Sequence, residues 1–260
     1  MTENSAPRDP RDLFDLTGRV AIVTGGSRGL GREMVLAMAA VGADVVIASR
    51  KLDACEELAE HVRATTGRRA LAVAAHAANW DDMDRLADAA YAEFGKVDIL
   101  VNNAGLSPLY ENVESITEEL WDKTLGVNLK GAFRLTALVG SRMAAGSGGS
   151  IINVSSVAAR YPKPEVIPYA AAKAGLNAIT QAFARTWGAK VRVNAILPGS
   201  FMTDISKAWD KEAFAKEAAG YAMGRGGQPD EIVGAALYLA SDASTFTTGA
   251  LLDVDGGYWP

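Results

Sequence analysis

The 260-residue chain has one cysteine, Cys55, and two histidines, His61 and His76. A single thiol cannot close an internal disulfide, and so few soft ligands argue against a zinc site, so no metal is expected. Cys55 falls in a stretch of helical character and reads as a small buried hydrophobe. A basic surplus is missing too: 26 Lys and Arg face 31 Asp and Glu, a formal net charge of −5. Phosphate-rich partners call for the opposite balance, so nucleic acid is not the expected ligand. No uninterrupted apolar run reaches the length of a membrane span, which excludes a membrane-embedded helix. Residues 1–15 are polar and Pro-containing, without the apolar centre of a signal peptide. They read as a flexible tail, and the protein as cytoplasmic. No Pro/Ser-rich linker or charge block divides the remainder, so residues 16–260 are expected to form one domain.

What the chain does have is a rhythm. Short apolar runs at 20–23, 44–48, 70–74, 99–101, 150–154, 191–197 and 251–254 alternate with helical patterns. Most of these runs are apolar throughout rather than at every second residue. That pattern fits strands covered on both faces, hence an α/β fold with a doubly wound parallel sheet of about seven strands.

The first run leads into Thr24-Gly25-Gly26-Ser27-Arg28-Gly29-Leu30-Gly31 and then a helix to about residue 41. Strand, glycine turn and helix in that order form a cradle for a pyrophosphate, whose charge sits on the open N–H groups of the helix start. Gly25, Ser27, Arg28, Gly29, Leu30 and Gly31 are therefore candidate cofactor residues, although their spacing is not the generic dinucleotide fingerprint. The second strand ends in Ser49, followed by Arg50 and Lys51. An NAD site places an acid there to bond the ribose hydroxyls. Here the acid is missing, and Arg50 with Arg28 can grip a phosphate bidentately, so NADP(H) fits better than NAD. The fourth strand closes on Asn102-Asn103-Ala104-Gly105, two amides suited to bracing the adenosine side of the cofactor.

The second half supplies chemistry. Tyr169 and Lys173 lie four apart in an Ala-rich helical stretch and share one face. A neighbouring ammonium favours the phenolate, which predicts a Tyr169 acid/base working nearer neutrality than its usual ~10. Ser156, just after strand five, can offer a hydroxyl to the same substrate oxygen. Tyr–Lys pairs also occur in ordinary surface helices, so the pair is weak evidence when taken alone. The pattern over residues 117–145 predicts a long helix interrupted in character at Gly126-Val127-Asn128, where Asn128 diverts backbone hydrogen bonding and holds a relay water towards Lys173. The helix after Tyr169 is apolar almost all round, which predicts cover from a second subunit. Phe201, Met202, Ile205, Trp209 and Phe214 suit a lid over an apolar substrate or, equally, a packed surface helix.

Taken together, these motifs resemble the short-chain dehydrogenase/reductase family over roughly residues 16–257. The glycine turn, the Asn-Asn-Ala-Gly loop, the catalytic set and Pro198-Gly199 occur in its order and spacing. The resemblance implies a Rossmann-type fold and a ketone or secondary-alcohol substrate, with NADP(H) as cofactor. It places Asn128, Ser156, Tyr169 and Lys173 as the catalytic tetrad. Asn103, Ala104, Gly105, Pro198, Gly199, Thr203 and Ile196 join the cofactor contacts, with Lys173 on the nicotinamide ribose. It also implies a homotetramer through the two long central helices and the C-terminal strand. His76 departs from the pattern, standing where the family usually has an Asp for the adenine amino group, so adenine binding is expected to be altered. Thr186 stands about where the family often has an acid. A small apolar or alicyclic ketone is the favoured substrate. A 3-oxoacyl group on acyl carrier protein is the alternative, made less attractive by a 144–149 loop without cations, Arg142 standing just before it. A cofactor-binding regulator without turnover is the reading from a different class.

Overall fold

The structure, a computed structural model, describes residues 9–203 and 211–258. Its centre is a parallel sheet of β1 (Val20–Thr24), β2 (Asp44–Ser49), β3 (Ala70–Ala74), β4 (Ile99–Asn102), β5 (Gly149–Val154), β6 (Val191–Pro198) and β7 (Leu251–Val254). The strand order is β3-β2-β1-β4-β5-β6-β7. Winding reverses between β1 and β4, and ligands of such sheets bind beyond the carboxyl ends of the strands at that reversal.

The strands lack polar alternation because both faces are covered. Ala21 and Val23 join a core with Met34, Met38, Leu58, Val62 and Leu239. The intervening Ile22 points the other way, to Leu86, Leu135, Val139 and Ile151. Successive strand residues feed opposite faces, so a doubly covered strand must be apolar at every position. The first core is closed by α1 (Gly29–Ala40), α2 (Leu52–Thr66) and α8 (Val233–Ala240), the second by α3 (Trp80–Phe94), α5 (Gly131–Ala145) and α6 (Ile167–Trp187). The short α7 (Lys211–Ala218) lies beyond β6.

Three stretches refine the reading from sequence. Residues 117–145 form α4 (Glu118–Leu125), one π-turn (Gly126–Lys130) and α5, so the interruption is a widened turn within a continuing helix. Pro229–Ile232 is a 3₁₀ turn leading into α8. Pro10–Phe14, within the segment read as a tail, forms a 3₁₀ helix capped by Asp9.

A buried polar ladder crosses the middle of the sheet. Asn102 and Asn153 stand opposite each other on β4 and β5. The Asn102 amide donates to Asn153 Oδ1 and to Thr136 Oγ1 of α5, both at 2.8 Å, and Asn153 Nδ2 donates to Thr180 Oγ1 of α6 at 2.8 Å. Thr180 in turn donates to Leu176 O within its own helix. Asn153 immediately precedes Val154, whose carbonyl accepts from Lys173 Nζ.

Candidate active site

α6 begins two residues before Tyr169, with Pro168 in its first turn where a missing N–H costs nothing. Tyr169 and Lys173 therefore rise from the helix start beside the end of β5. Lys173 is 3% exposed. Its Nζ donates to Val154 O at 2.7 Å and lies 5.6 Å from the Tyr169 ring centre. Ser155 fastens the corner: its N–H donates to Ile196 O of β6 and its hydroxyl to Lys173 O. Ser156 is extended, accepts from Ala158 N at 3.1 Å and hydrogen-bonds the Tyr169 phenol.

Burial dominates the electrostatics here. It pushes the Tyr169 phenol above its ordinary value, and the bond with Ser156 pulls it back part of the way. Burial also draws Lys173 down to about 7. Sequence reasoning had the ammonium pulling the phenol below its usual range. That is corrected: both groups lie in one low-dielectric corner, which favours the neutral form of each. The phenol is held as an acid, beside an amine that gains and loses its proton near neutrality.

Asn128 sits inside the π-turn. Its Nδ2 donates to Thr124 O, four residues back, and to Leu106 O, while its Oδ1 accepts from Leu106 N. The side chain thus replaces a backbone partner within the helix and staples the loop after β4 to it. Gly105 is squeezed at the same point: a Cβ there would stand 3.0 Å from Asn128 Oδ1 and 3.7 Å from Lys173 Nζ. The loop after β4, the π-turn and the start of α6 consequently converge.

The glycine turn is shaped by close approach. Gly25 has φ +63°, and a Cβ on it would come within 2.9 Å of Asn103 Nδ2; one on Gly31 would overlap Gly25 O. Thr24 Oγ1 accepts from both Asn103 N and Ala104 N, and Asn103 Nδ2 donates to Thr24 O and Gly25 O. Both amides of the β4 loop brace protein: Asn103 holds the glycine turn, and Asn102 is buried in the ladder. Gly29 opens α1 behind Arg28, with Leu30 half-buried, and Thr203 stands over that helix start, its Cβ 3.6 Å from where a Gly29 Cβ would be. At the end of β2, the Ser49 hydroxyl receives Ser27 Oγ at 3.0 Å, donates to Lys51 O and touches the Cys55 thiol at 3.0 Å. Cys55 is buried as expected, and Arg50 is exposed beside Ser49. Pro198 ends β6, and Gly199 N donates to Val254 O.

Sequence reasoning gave no role to Thr24, Leu106 or Val154. The last two act through backbone atoms and leave no side-chain signal; Thr24 was visible as a polar residue ending an apolar strand. Of the suggested lid, Phe201 is buried in the main core, Phe214 packs near Tyr221 and Tyr258, and Met202 is exposed. Ile205 and Trp209 lie outside the described residues.

Residues 25–259 match the family model described as enoyl-(acyl carrier protein) reductase. The chain is 39% identical to the short chain dehydrogenase/reductase astE of Aspergillus oryzae, over 94% of this chain and 96% of that protein. It belongs to the short-chain dehydrogenase/reductase family. The D-threitol dehydrogenase of Mycolicibacterium smegmatis is 38% identical to this short-chain dehydrogenase/reductase, covering 94% of each chain. A gluconate 5-dehydrogenase from Burkholderia cenocepacia, solved with NADP and tartrate, superimposes with a TM-score of 0.90 at 34% identity, over 95% of this chain and 97% of that one. Family members bind a nicotinamide cofactor. The residues of this short-chain dehydrogenase/reductase fit one: the glycine turn leaves backbone free to approach a pyrophosphate at the start of α1, on the reversal of the sheet. Among the described residues, no group of three or more His, Cys, Asp or Glu could hold a metal, and no helix is long and apolar enough to cross a membrane.

Proposed function

We propose that this oxidoreductase uses NADP(H) to interconvert a ketone and a secondary alcohol, with Asn128, Ser156, Tyr169 and Lys173 as its working set. The convergence of those four on one corner beside the glycine turn, with Asn128, Ser156 and Lys173 buried and Tyr169 half-buried, carries the reading. When bound, the nicotinamide gives hydride to the substrate carbon or takes it back. In the reducing direction, Ser156 Oγ and the Tyr169 hydroxyl both donate to the carbonyl oxygen and polarise it. Tyr169 then passes its proton to that oxygen, and Lys173, titrating near 7, returns one to the phenol. Asn128 holds the wall of the corner in place and supports a relay water at the π-turn. Arg28 and Arg50, with no acid at Ser49, support the phosphorylated cofactor, held by Gly25, Ser27, Gly29, Leu30, Gly31, Asn103, Ala104, Gly105, Pro198, Gly199 and Thr203.

A small apolar or alicyclic ketone is the substrate class we favour, since Leu109, Met202 and Met223 expose apolar side chains on loops at the carboxyl edge. The family description keeps an acyl-carrier substrate as the second reading. Against it, the 144–149 loop carries no cation of its own, and of the cations beside it Arg142 is paired with Asp88 and covers Tyr91, while Lys190 donates to Gly146 O. Ala171, Ala174, Ala178 and Ala182, exposed along α6, support a homotetramer built on the central helices.

The deciding experiment follows NADPH absorbance against ketones, diketones, sugar-derived ketones and a 3-oxoacyl thioester. Oxidation that drops by roughly 10²–10⁴ in Tyr169→Phe is the expected result. Undiminished turnover in that variant would refute the acid/base assignment. Tight NADPH binding with no turnover on any substrate would favour a regulator instead.

A further inference from the structure

Tyr110, half-buried on the loop after β4, reaches across to the segment that leads into α6. Its hydroxyl donates to Pro164 O, and Ile167 N donates to that same hydroxyl at 2.8 Å. Pro164 and Ile167 stand three residues apart, the spacing at which a tight turn bonds carbonyl to N–H directly. Here the phenol oxygen is interposed between them. Ile167 is the first residue of α6, and Val166 before it supplies no side-chain cap. The N–H at the helix start is therefore satisfied from outside the helix, by a side chain of another loop.

The bond falls where the placement of Tyr169 depends on it. One turn further on, Lys173 is pinned twice: its carbonyl accepts from Ser155 Oγ, and its Nζ donates to Val154 O. Tyr169 lies on the other side of those pins, in the first turn of α6. A helical side chain leans towards the N-terminus of its helix, over the preceding turn, and helix ends are the parts that fray. Movement of that first turn would carry the Tyr169 phenol with it. Tyr110 ties the turn down, and the loop that carries Tyr110 is itself stapled by Asn128 through Leu106 N and O. The other side-chain ties of the segment before α6 include two ion pairs open to water, Arg160 with Asp253 and Lys163 with Glu217. Exposed pairs hold weakly and are screened by salt.

We infer that Tyr110 is a positioning residue for the acid/base: from the loop after β4 it caps the start of α6 and so sets where the Tyr169 phenol stands against Ser156. The inference rests on the part proposed above for Tyr169. Without the hydroxyl, Pro164 O and Ile167 N are left to water or to each other, and the first turn of α6 gains freedom.

The test compares wild type with Tyr110→Phe, which keeps the ring and loses only the hydroxyl. The readouts are turnover of the ketone that the panel above identifies, exchange of the Ile167 amide by mass spectrometry, and the magnetic resonance signal of Tyr169. That signal comes from protein labelled at the tyrosine ring carbon that bears oxygen, and is assigned by its loss in Tyr169→Phe. In Tyr110→Phe, kcat should fall about 10- to 100-fold, the effect of a small misplacement, with KM and the NADPH Kd within about twofold of wild type. The Ile167 amide should exchange faster, and the Tyr169 signal should move. Arg160→Gln, which frees the same segment from Asp253, should leave kcat and the signal as they are. Should no ketone be turned over, the signal and the exchange decide on their own. A rise in KM at unchanged kcat would make Tyr110 a substrate contact and overturn the inference. Equal losses in Tyr110→Phe and Arg160→Gln would do the same, since they report general loop order. Wild-type kcat and an unmoved Tyr169 signal in Tyr110→Phe, with Tyr169→Phe inactive, would overturn it while leaving the acid/base reading intact. Full turnover in Tyr169→Phe would remove both.

Discussion

At the scale of single residues, the site is governed by what burial does to charge. Lys173 ionises near 7 in the folded protein against an ordinary 10.5. Between those values the unfolded chain binds more protons than the native one, so this lysine makes stability rise with pH; below 7 its burial penalty is present in full. Replacing it by methionine removes both the penalty and the bond to Val154 O. Relative to Lys173→Met, wild type should gain on the order of a few kcal/mol as pH rises from 6.5 to 9.5, measured by denaturant titration at each pH. A difference that stays flat would mean that Lys173 titrates alike folded and unfolded. Arg50 acts in the opposite regime, exposed and dependent on its ligand. Arg50→Asp should reduce the NADPH-to-NADH ratio of kcat/KM by roughly 10- to 100-fold, the loss of a charge-assisted bond plus a new repulsion. An unchanged ratio would remove Arg50 from phosphate recognition.

At the scale of elements, the π-turn does more than bend a helix. It lets Asn128 reach Leu106, and the glycines at its two ends receive Ala77 and Ala78 of the turn that leaves β3. Gly131→Ala would drive a methyl into the Ala77 carbonyl, and should cost on the order of 1–3 kcal/mol in urea denaturation. The strands were legible in sequence to within a residue, since full burial on both faces writes an unbroken apolar run. Tyr169, Lys173 and Ser156 were legible because their spacing follows the helix repeat and the strand end. The shift of the Tyr169 phenol was not, because a sequence lists charges but not how deeply they are buried. Nor were the protein partners of the Asn102 and Asn103 amides: an amide that bonds the neighbouring strand and one that bonds the next loop are written with the same letter.

At the scale of the whole molecule, the alanine stripe on α6 predicts assembly. Ala178→Arg, on its exposed side, should convert a larger species into smaller ones in light scattering while the far-ultraviolet dichroism is kept. A wild-type monomer at micromolar concentration would refute the tetramer. The amide ladder through Asn102, Asn153, Thr136 and Thr180 has a consequence for how the sheet opens. Sliding β5 past β4 by one residue would strand these groups in an apolar interior at about 1–3 kcal/mol each. The central pair accordingly has no inexpensive partial opening available to it. Its backbone deuterons should exchange only through complete unfolding, with β4 and β5 sharing one rate that tracks global stability, while the edge strand β3 loses its label earlier. A network placed beneath the chemistry would then also be the clasp that keeps the two halves of the winding from parting separately.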